Sequence, residues 1–263
     1  MDKVAGNGEL TSYSRRTAIM DALDRDGEVR VNDLSDRLHT SVITIRKDLD
    51  ELEKEGLLER VHGGAIKNFR IQKNMAYTER LNTKKAEKIK IALATAKLIN
   101  DNDSVIINVG TTSLYVAQQF QYKRGLIAIT NSLQIFNEIA YYKNVTSFFL
   151  GGRFHHEMEF TYGDDTLEQL NKYNADKLII GMDGIDLEEG VTTNNHAEDS
   201  IMLRMMERSN EKILIVDDSK IGKVTFAHIA PLSAFDVIVT NYSPDHTQFY
   251  SDAERIGLHV ITV

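Results

Sequence analysis

From about residue 84 onward, short apolar runs alternate with amphipathic stretches along the chain. The apolar runs have the length and β-branched content of buried strands, and the stretches between them carry apolar residues at helical spacing. The runs lie at residues 105–109, 126–129, 145–150, 177–180, 213–216, 237–240 and 260–263. Strands that alternate with helices form a mostly parallel sheet covered on both faces, so the pattern predicts an α/β fold for this part of the chain.

The preceding residues have a different pattern, which is helical and charged and ends in a short apolar hairpin. Helical spacing predicts one helix that ends at Gly27, a second from about Asn32 to Leu38, and a third from Ser41 to about Glu55. Two short strands then flank the glycine pair 63–64. Two helices joined by a tight turn and followed by a two-stranded wing form the winged helix-turn-helix arrangement.

These patterns predict three segments. They are a winged helix-turn-helix domain at 1–66, a basic linker at 67–83, and an α/β domain at 84–263. Residues 67–90 contain eight basic and two acidic side chains, whereas the whole chain has a formal charge of −8. A chain that is acidic overall binds DNA through a local basic surface. We expect the basic run to couple the two domains.

The composition excludes several other classes of protein. The absence of cysteine rules out disulfides, thiolate metal sites and iron–sulfur clusters. The N-terminus lacks the apolar run of a signal peptide, and no stretch reaches the ~20 apolar residues of a membrane span. We therefore expect a cytoplasmic protein that has no cofactor and does not bind a membrane.

The third predicted helix turns its apolar stripe inward, which places polar and basic side chains on its outer face. Hydroxyl groups there can bond base edges or phosphates, and Arg46 and Lys47 can neutralise phosphates or read guanine. With the wing, the predicted DNA-contact residues are Ser41, Ile43, Thr44, Arg46, Lys47, Arg60, His62 and Gly63. The alternatives are a solvated helix of a small all-α domain and a winged helix that binds protein instead of DNA.

The segment from Ile45 to Ala65 resembles the signature of the DeoR family of bacterial transcriptional regulators. The matching residues are Ile-Arg-Lys-Asp-Leu at 45–49, Leu52, and Gly-Leu-Leu-Glu-Arg-Val-His-Gly-Gly-Ala at 56–65. The family more often has arginine at the position of Lys47, where the charge is kept. The resemblance continues nearly to the C-terminus and implies a sugar-operon regulator, usually a repressor that a phosphorylated sugar releases from DNA.

Polar residues and glycines follow the predicted strands, which is where open α/β sheets bind ligands. The turn 110–113 combines a glycine, hydroxyl groups and a helix N-terminus, a set that suits a phosphate. Lys220 adds a point charge, while Asn131 and Asp183 suit sugar hydroxyls. The predicted effector residues are Gly110, Thr111, Thr112, Ser113, Thr130, Asn131, Ser132, Gly152, Arg153, Asp183, Thr193 and Lys220. The alternatives are an ordinary strand-to-helix turn at 110–113 and a solvated lysine at 220.

The second half resembles the effector domain of the family, which is similar to ribose-5-phosphate isomerase and glucosamine-6-phosphate deaminase. By that resemblance, the catalytic lysine and glutamate of the isomerase fall at Thr193 and Met202. Moving a proton between sugar carbons needs a base, which methionine cannot supply. We therefore predict a binding domain that is not an enzyme. The alternative is an active sugar-phosphate isomerase or deaminase fused to a DNA-binding domain.

Two acidic and histidine-rich clusters, at 155–159 and 196–199, lack convincing metal-ligand spacing. We therefore predict no metal site. One small reading helix contacts too few bases for specificity, so we expect a homo-oligomer, either a dimer or a tetramer. The expected partners are double-stranded operator DNA and a phosphorylated sugar, whose identity the sequence leaves open.

Overall fold

The computed structural model describes residues 11–54, 57–67, 79–195 and 199–263. The chain divides into two compact units between Thr78 and Glu79, a break that falls inside the predicted linker. Residues 68–78 of that linker and residues 196–198 of the second histidine cluster lie outside the described residues. Residues 79–82 are helical and belong to the second unit.

The first unit has the predicted winged helix-turn-helix fold. Its elements are α1 (Ser12–Asp26), β1 (Glu28–Arg30), α2 (Val31–Arg37), α3 (Val42–Lys54), β2 (Leu58–Val61) and β3 (Gly64–Lys67). The strands form an antiparallel sheet in the order β1-β3-β2, so the wing has one strand more than predicted. This extra strand pairs Val29 with Ala65, and both side chains are buried in the core of the unit.

The core of the first unit forms where the apolar stripes of α1 and α3 meet. Ile19 and Leu23 from α1 pack with Ile45 and Leu49 from α3, and all four are fully buried. Each such side chain contributes about 1.5–3 kcal/mol by leaving water. Because the stripe is inside, the opposite face of α3 is left on the surface.

The second unit is an α/β domain, as predicted. Its helices are α4 (Lys85–Lys97), α5 (Thr111–Ala117), α6 (Leu133–Ile139), α7 (Asp164–Leu170), α8 (Asp199–Glu207) and α9 (Thr247–Arg255). Its main-sheet strands are β4 (Ser104–Ile107), β5 (Leu126–Thr130), β6 (Val145–Phe149), β9 (Ala175–Ile180), β12 (Ser209–Ile215), β14 (Val237–Thr240) and β15 (His259–Thr262). These seven strands pair in parallel in the order β15-β14-β12-β9-β4-β5-β6.

Two antiparallel additions accompany this sheet. They are the hairpin of β7 (Arg153–His155) with β8 (Phe160–Tyr162), and a three-stranded sheet of β10 (Gly184–Asp186), β11 (Gly190–Thr193) and β13 (Ala227–Ala230). The sequence patterns did not predict them. Across the described ranges, no helix has the length and apolar character needed to cross a bilayer.

The order of strands reverses at the centre of the main sheet. β5 and β6 lie to one side of β4, whereas β9, β12, β14 and β15 lie to the other side. In open α/β sheets, the crevice beyond the carboxyl ends of the strands at such a reversal is the usual ligand site. Gly110 and Thr111 follow β4 there, and residues 181–183 follow β9.

Candidate functional site

The outer face of α3 presents the side chains that the sequence predicts for DNA contact. Ser41 caps the helix, because its Oγ accepts a hydrogen bond from the Thr44 backbone N–H over 3.1 Å. Arg46 and Lys47 are exposed, and Ile43 has 79% of its surface open to solvent. An exposed apolar side chain beside basic ones suits a groove, where it can contact a thymine methyl group.

Three of the predicted DNA-contact residues lie in the wing, and they differ in exposure. Arg60 is partly exposed, and its Nε donates to Asp50 Oδ1 over 3.1 Å while its Nη1 donates to the Gly64 carbonyl over 2.6 Å. These bonds brace β2 against α3, and the DNA contact predicted for Arg60 stays a prediction. His62 and Gly63 form the exposed turn, where a φ of 81° at Gly63 favours glycine.

The crevice at the strand reversal of the second unit contains a buried lysine. Lys88, on α4, donates from Nζ to Thr111 Oγ1 over 3.0 Å and also to the Arg80 carbonyl. Only 5% of Lys88 is exposed. The residue belongs to the basic run of the sequence but was not among the predicted effector residues. Its place beside the turn after β4 makes it a member of the candidate site.

One carboxylate and two cations act on the charge of Lys88. Burial lowers the pKa of its ammonium group, the Asp217 carboxylate opposes that shift, and the charges of Lys220 and Arg80 reinforce it. Asp217 is itself engaged by the backbone N–H of Ser219 over 3.0 Å. Within the described part of the chain, the Lys220 ammonium has no hydrogen-bond or ion-pair partner. An anion bound in this crevice would relieve the repulsion among these cations.

A second lysine joins α4 to the tips of two strands. Lys84 Nζ donates to Asp218 Oδ1, which also accepts a hydrogen bond from Asn241 Nδ2 over 2.8 Å. Burial alone would raise the pKa of Asp218, but the hydrogen bonds from Lys84 and Asn241 lower it overall. The same pairing raises the pKa of Lys84. This ion pair fixes the start of α4 beside the crevice.

Asp183, in the turn that follows β9, can accept a hydrogen bond from a hydroxyl group of a ligand. Its Oδ2 accepts hydrogen bonds from Thr193 Oγ1 over 3.2 Å and from the Asn194 N–H over 2.9 Å. The residue is partly exposed, whereas Thr193 is buried. Thr193 therefore orients the carboxylate, and Asp183 is the member of the pair that can face a ligand.

Besides Thr193, four predicted effector residues have buried side chains that make hydrogen bonds within the protein. Ser113 donates to Asn108 Oδ1 over 3.3 Å, and Thr130 donates to the Ile107 carbonyl over 2.8 Å. The Thr130 bond ties β5 to β4, and the Ser113 bond stabilises the turn that follows β4, so both support the crevice. The four residues are Ser113, Thr130, Asn131 and Ser132.

Gly152 is required by close packing. A Cβ at this position would lie 2.1 Å from Thr166 Oγ1 and 2.8 Å from the Tyr162 carbonyl, and its φ is 150°. The neighbouring Arg153 is exposed. The glycine therefore lets the chain turn after β6, and only the Arg153 side chain of this pair is available to a ligand.

Neither of the positions to which the resemblance assigns a catalytic residue, Thr193 and Met202, has a basic side chain. Met202 is 3% exposed and packs in the hydrophobic core of the second unit, and Thr193 is bonded to Asp183. In the first histidine cluster, the His155 ring stacks on Phe160 with a centroid distance of 4.9 Å. Residues 11–54, 57–67, 79–195 and 199–263 contain no group of three or more His, Asp or Glu placed to hold a metal ion.

Comparison with known families agrees with this division of the chain. Residues 15–70 match the family described as DeoR-like helix-turn-helix domain, and residues 83–242 match the DeoR C terminal sensor domain. Among solved structures, a ribose 5-phosphate isomerase from Plasmodium falciparum has 18% identity and a TM-score of 0.37, with 51% of each chain covered.

Two curated proteins are similar over nearly their whole length. The HTH-type transcriptional repressor GlcR of Bacillus subtilis (strain 168) is 31% identical over 247 residues, which cover 94% of this chain and 95% of that protein. The lactose phosphotransferase system repressor of Staphylococcus epidermidis is 31% identical over 238 residues, which cover 88% and 93%. Each similarity covers most of both units of this chain.

Proposed function

Because this chain belongs to the DeoR family of bacterial transcriptional regulators, we propose that it represses a carbohydrate-utilisation operon and leaves its operator when a phosphorylated sugar or amino sugar binds. It is a DNA-binding transcriptional regulator and not an enzyme. Two relatives are named repressors, and one of them is a repressor of a lactose phosphotransferase system, which supports repression of a sugar operon.

The observation that carries the effector proposal is the cationic crevice at the strand reversal. Lys88 and Lys220 bring positive charge to the turn that contains Thr111, and the Asp183 carboxylate lies after the neighbouring strand β9. A phosphate needs cations and donors, whereas sugar hydroxyls need acceptors that orient them. The crevice supplies both, so a phosphorylated sugar fits it better than a neutral sugar or a nucleobase.

The DNA-reading proposal rests on the outer face of α3 and on the turn of the wing. The contact residues that we propose are Ser41, Ile43, Thr44, Arg46, Lys47, Arg60, His62 and Gly63. We further propose that two or more copies act together, because one reading helix covers too few bases to find an operator. A regulator of this kind works beside its DNA, so we place it in the cytoplasm.

An electrophoretic mobility shift with the promoter DNA of the regulated operon tests the whole proposal. We expect a shift at low salt that weakens steeply as salt rises, because phosphate contacts release counterions. One sugar phosphate from a panel should reverse the shift, whereas the same sugar without its phosphate should not. Absence of a DNA shift at low salt, or reversal by the unphosphorylated sugar alone, would contradict the proposal.

Replacing Lys220 with alanine should weaken the response to the effector without weakening DNA binding. The Lys220 ammonium has no partner among the described residues, so its loss removes a charge-assisted contact with the ligand but no contact within the fold. We expect the effector concentration for half-release to rise about tenfold. Lys223→Ala is the matched control, because Lys223 is exposed on the same loop. An unchanged midpoint for Lys220→Ala would remove Lys220 from the site.

A further inference from the structure

We propose that Lys88 is a positioning residue that lets an anion in the crevice hold residues 79–83 in place. These residues form the segment through which the chain enters the second unit, directly after the break at Thr78. The inference rests on the proposed function, since it takes the anion site as given. It adds an explanation of how ligand binding at that site changes residues 79–83, the part of the chain that connects to the DNA-binding unit.

The Lys88 ammonium group contacts both the segment 79–83 and the turn that contains Thr111. Lys88 Nζ donates to the carbonyl of Arg80 on one side and to Thr111 Oγ1 on the other. An ammonium group has three N–H donors, so one donor is left for a ligand beside Thr111. An anion can therefore bind to Lys88 without displacing the Arg80 carbonyl.

Two further bonds dock the same segment against the second unit. The hydroxyl of Tyr115, on α5, donates to the Leu81 carbonyl over 3.3 Å. The Arg80 guanidinium contacts the sulfur of Met158, in the turn between β7 and β8, over 3.2 Å. Both α5 and Lys88 border the crevice, so residues 79–83 lie against its wall and not in a free linker.

The direction of the effect follows from the charge on Lys88. Burial and neighbouring cations make a charged ammonium unfavourable there, whereas an anion beside Thr111 stabilises the charge. An anion bound to the third N–H fixes the Lys88 side chain in the position from which it also donates to the Arg80 carbonyl. Anion binding should therefore strengthen the bond to Arg80 and restrict residues 79–83, because the anion binds the docked arrangement more tightly.

Hydrogen exchange on the full chain, with inorganic phosphate as the probe, tests the inference. The Thr83 amide reports on the segment, because it donates to the Glu79 carbonyl over 2.8 Å. We expect saturating phosphate to slow exchange in residues 79–83 about tenfold, the effect of one charge-assisted hydrogen bond. Binding is measured separately by calorimetry. Phosphate that binds without slowing this segment overturns the inference and leaves the anion site intact.

Variants separate the role of Lys88 from a merely structural one. In Lys88→Met the phosphate-dependent slowing should disappear, and the apolar side chain suits the buried position. Tyr115→Phe, the control, removes only the Leu81 contact, so exchange in 79–83 should quicken while the response to phosphate persists. If Lys88→Met does not fold, the response of Tyr115→Phe to phosphate is the deciding measurement. Loss of that response would contradict the role proposed for Lys88. Failure of the wild type to bind phosphate overturns the anion site together with the inference.

Discussion

Lys47→Glu abolishes operator binding and leaves effector binding intact. Lys47 is exposed on the outer face of α3, so the substitution costs no packing within the fold. The reversed charge loses one cation at the duplex and adds repulsion from its phosphates. We expect the operator affinity to fall about a hundredfold or more, and the slope of affinity against salt to decrease by about one unit.

Lys54→Glu is the matched control for this result. Lys54 lies two helical turns after Lys47 on the same face of α3, and it is also exposed. It follows the acidic residues Asp50 and Glu53, where the helix would leave the duplex. We expect Lys54→Glu to change operator affinity only a few-fold. Equal losses in the two variants would place the reading surface elsewhere, and loss of effector binding in Lys47→Glu would mean that the protein had unfolded.

The sequence predicts the elements whose pattern repeats often enough to be recognised. The apolar positions Ile45, Leu49 and Leu52 share one helix face, which leaves Lys47 outside, and the structure confirms both statements. The parallel strands are likewise visible, because each is a continuous buried run such as 237–240. In these segments, local pattern and tertiary packing favour the same structure.

The missed elements are those in which a few residues depend on distant partners. β1 has three residues, too few to show the period of two that identifies a strand. β11 exists because it pairs with β10 and β13, for example Val191 with Ala230, which lie far apart in sequence. Pairing over such distances depends on the assembled fold and leaves little trace in the local sequence.

At the candidate site, residue type alone does not decide between a ligand contact and an internal bond. Ser113 and Thr111 occupy the same strand-to-helix turn, yet Ser113 bonds to Asn108 whereas Thr111 faces Lys88. Lys88 was missed for a related reason. A lysine in a basic run is usually solvated, and only the packing of α4 shows that this one is buried.

Asp48→Ala should produce the largest loss of stability among these variants. Asp48 lies within α3, is 2% exposed, and has both carboxylate oxygens bonded to the Arg15 guanidinium of α1, with Nη2 to Oδ1 at 3.0 Å. Arg16 adds a contact from Nε at 3.6 Å. Removing the carboxylate takes a buried partner away from the Arg15 guanidinium, which lowers the free energy of unfolding by about 3 kcal/mol.

Because α1 and α3 share this pair, the loss should be confined to the first unit. Hydrogen exchange of α1 and α3 amides should quicken by two orders of magnitude or more, which corresponds to a loss of about 3 kcal/mol in the free energy of opening. The β4 and β9 amides should keep their protection. The matched control is Asp50→Ala, in which an exposed carboxylate, 56% open to solvent, loses its pair with Arg60. An exposed pair contributes about 0–1 kcal/mol, so its exchange should change little. Equal effects of the two substitutions would show that burial of Asp48 does not govern how α1 holds the reading helix.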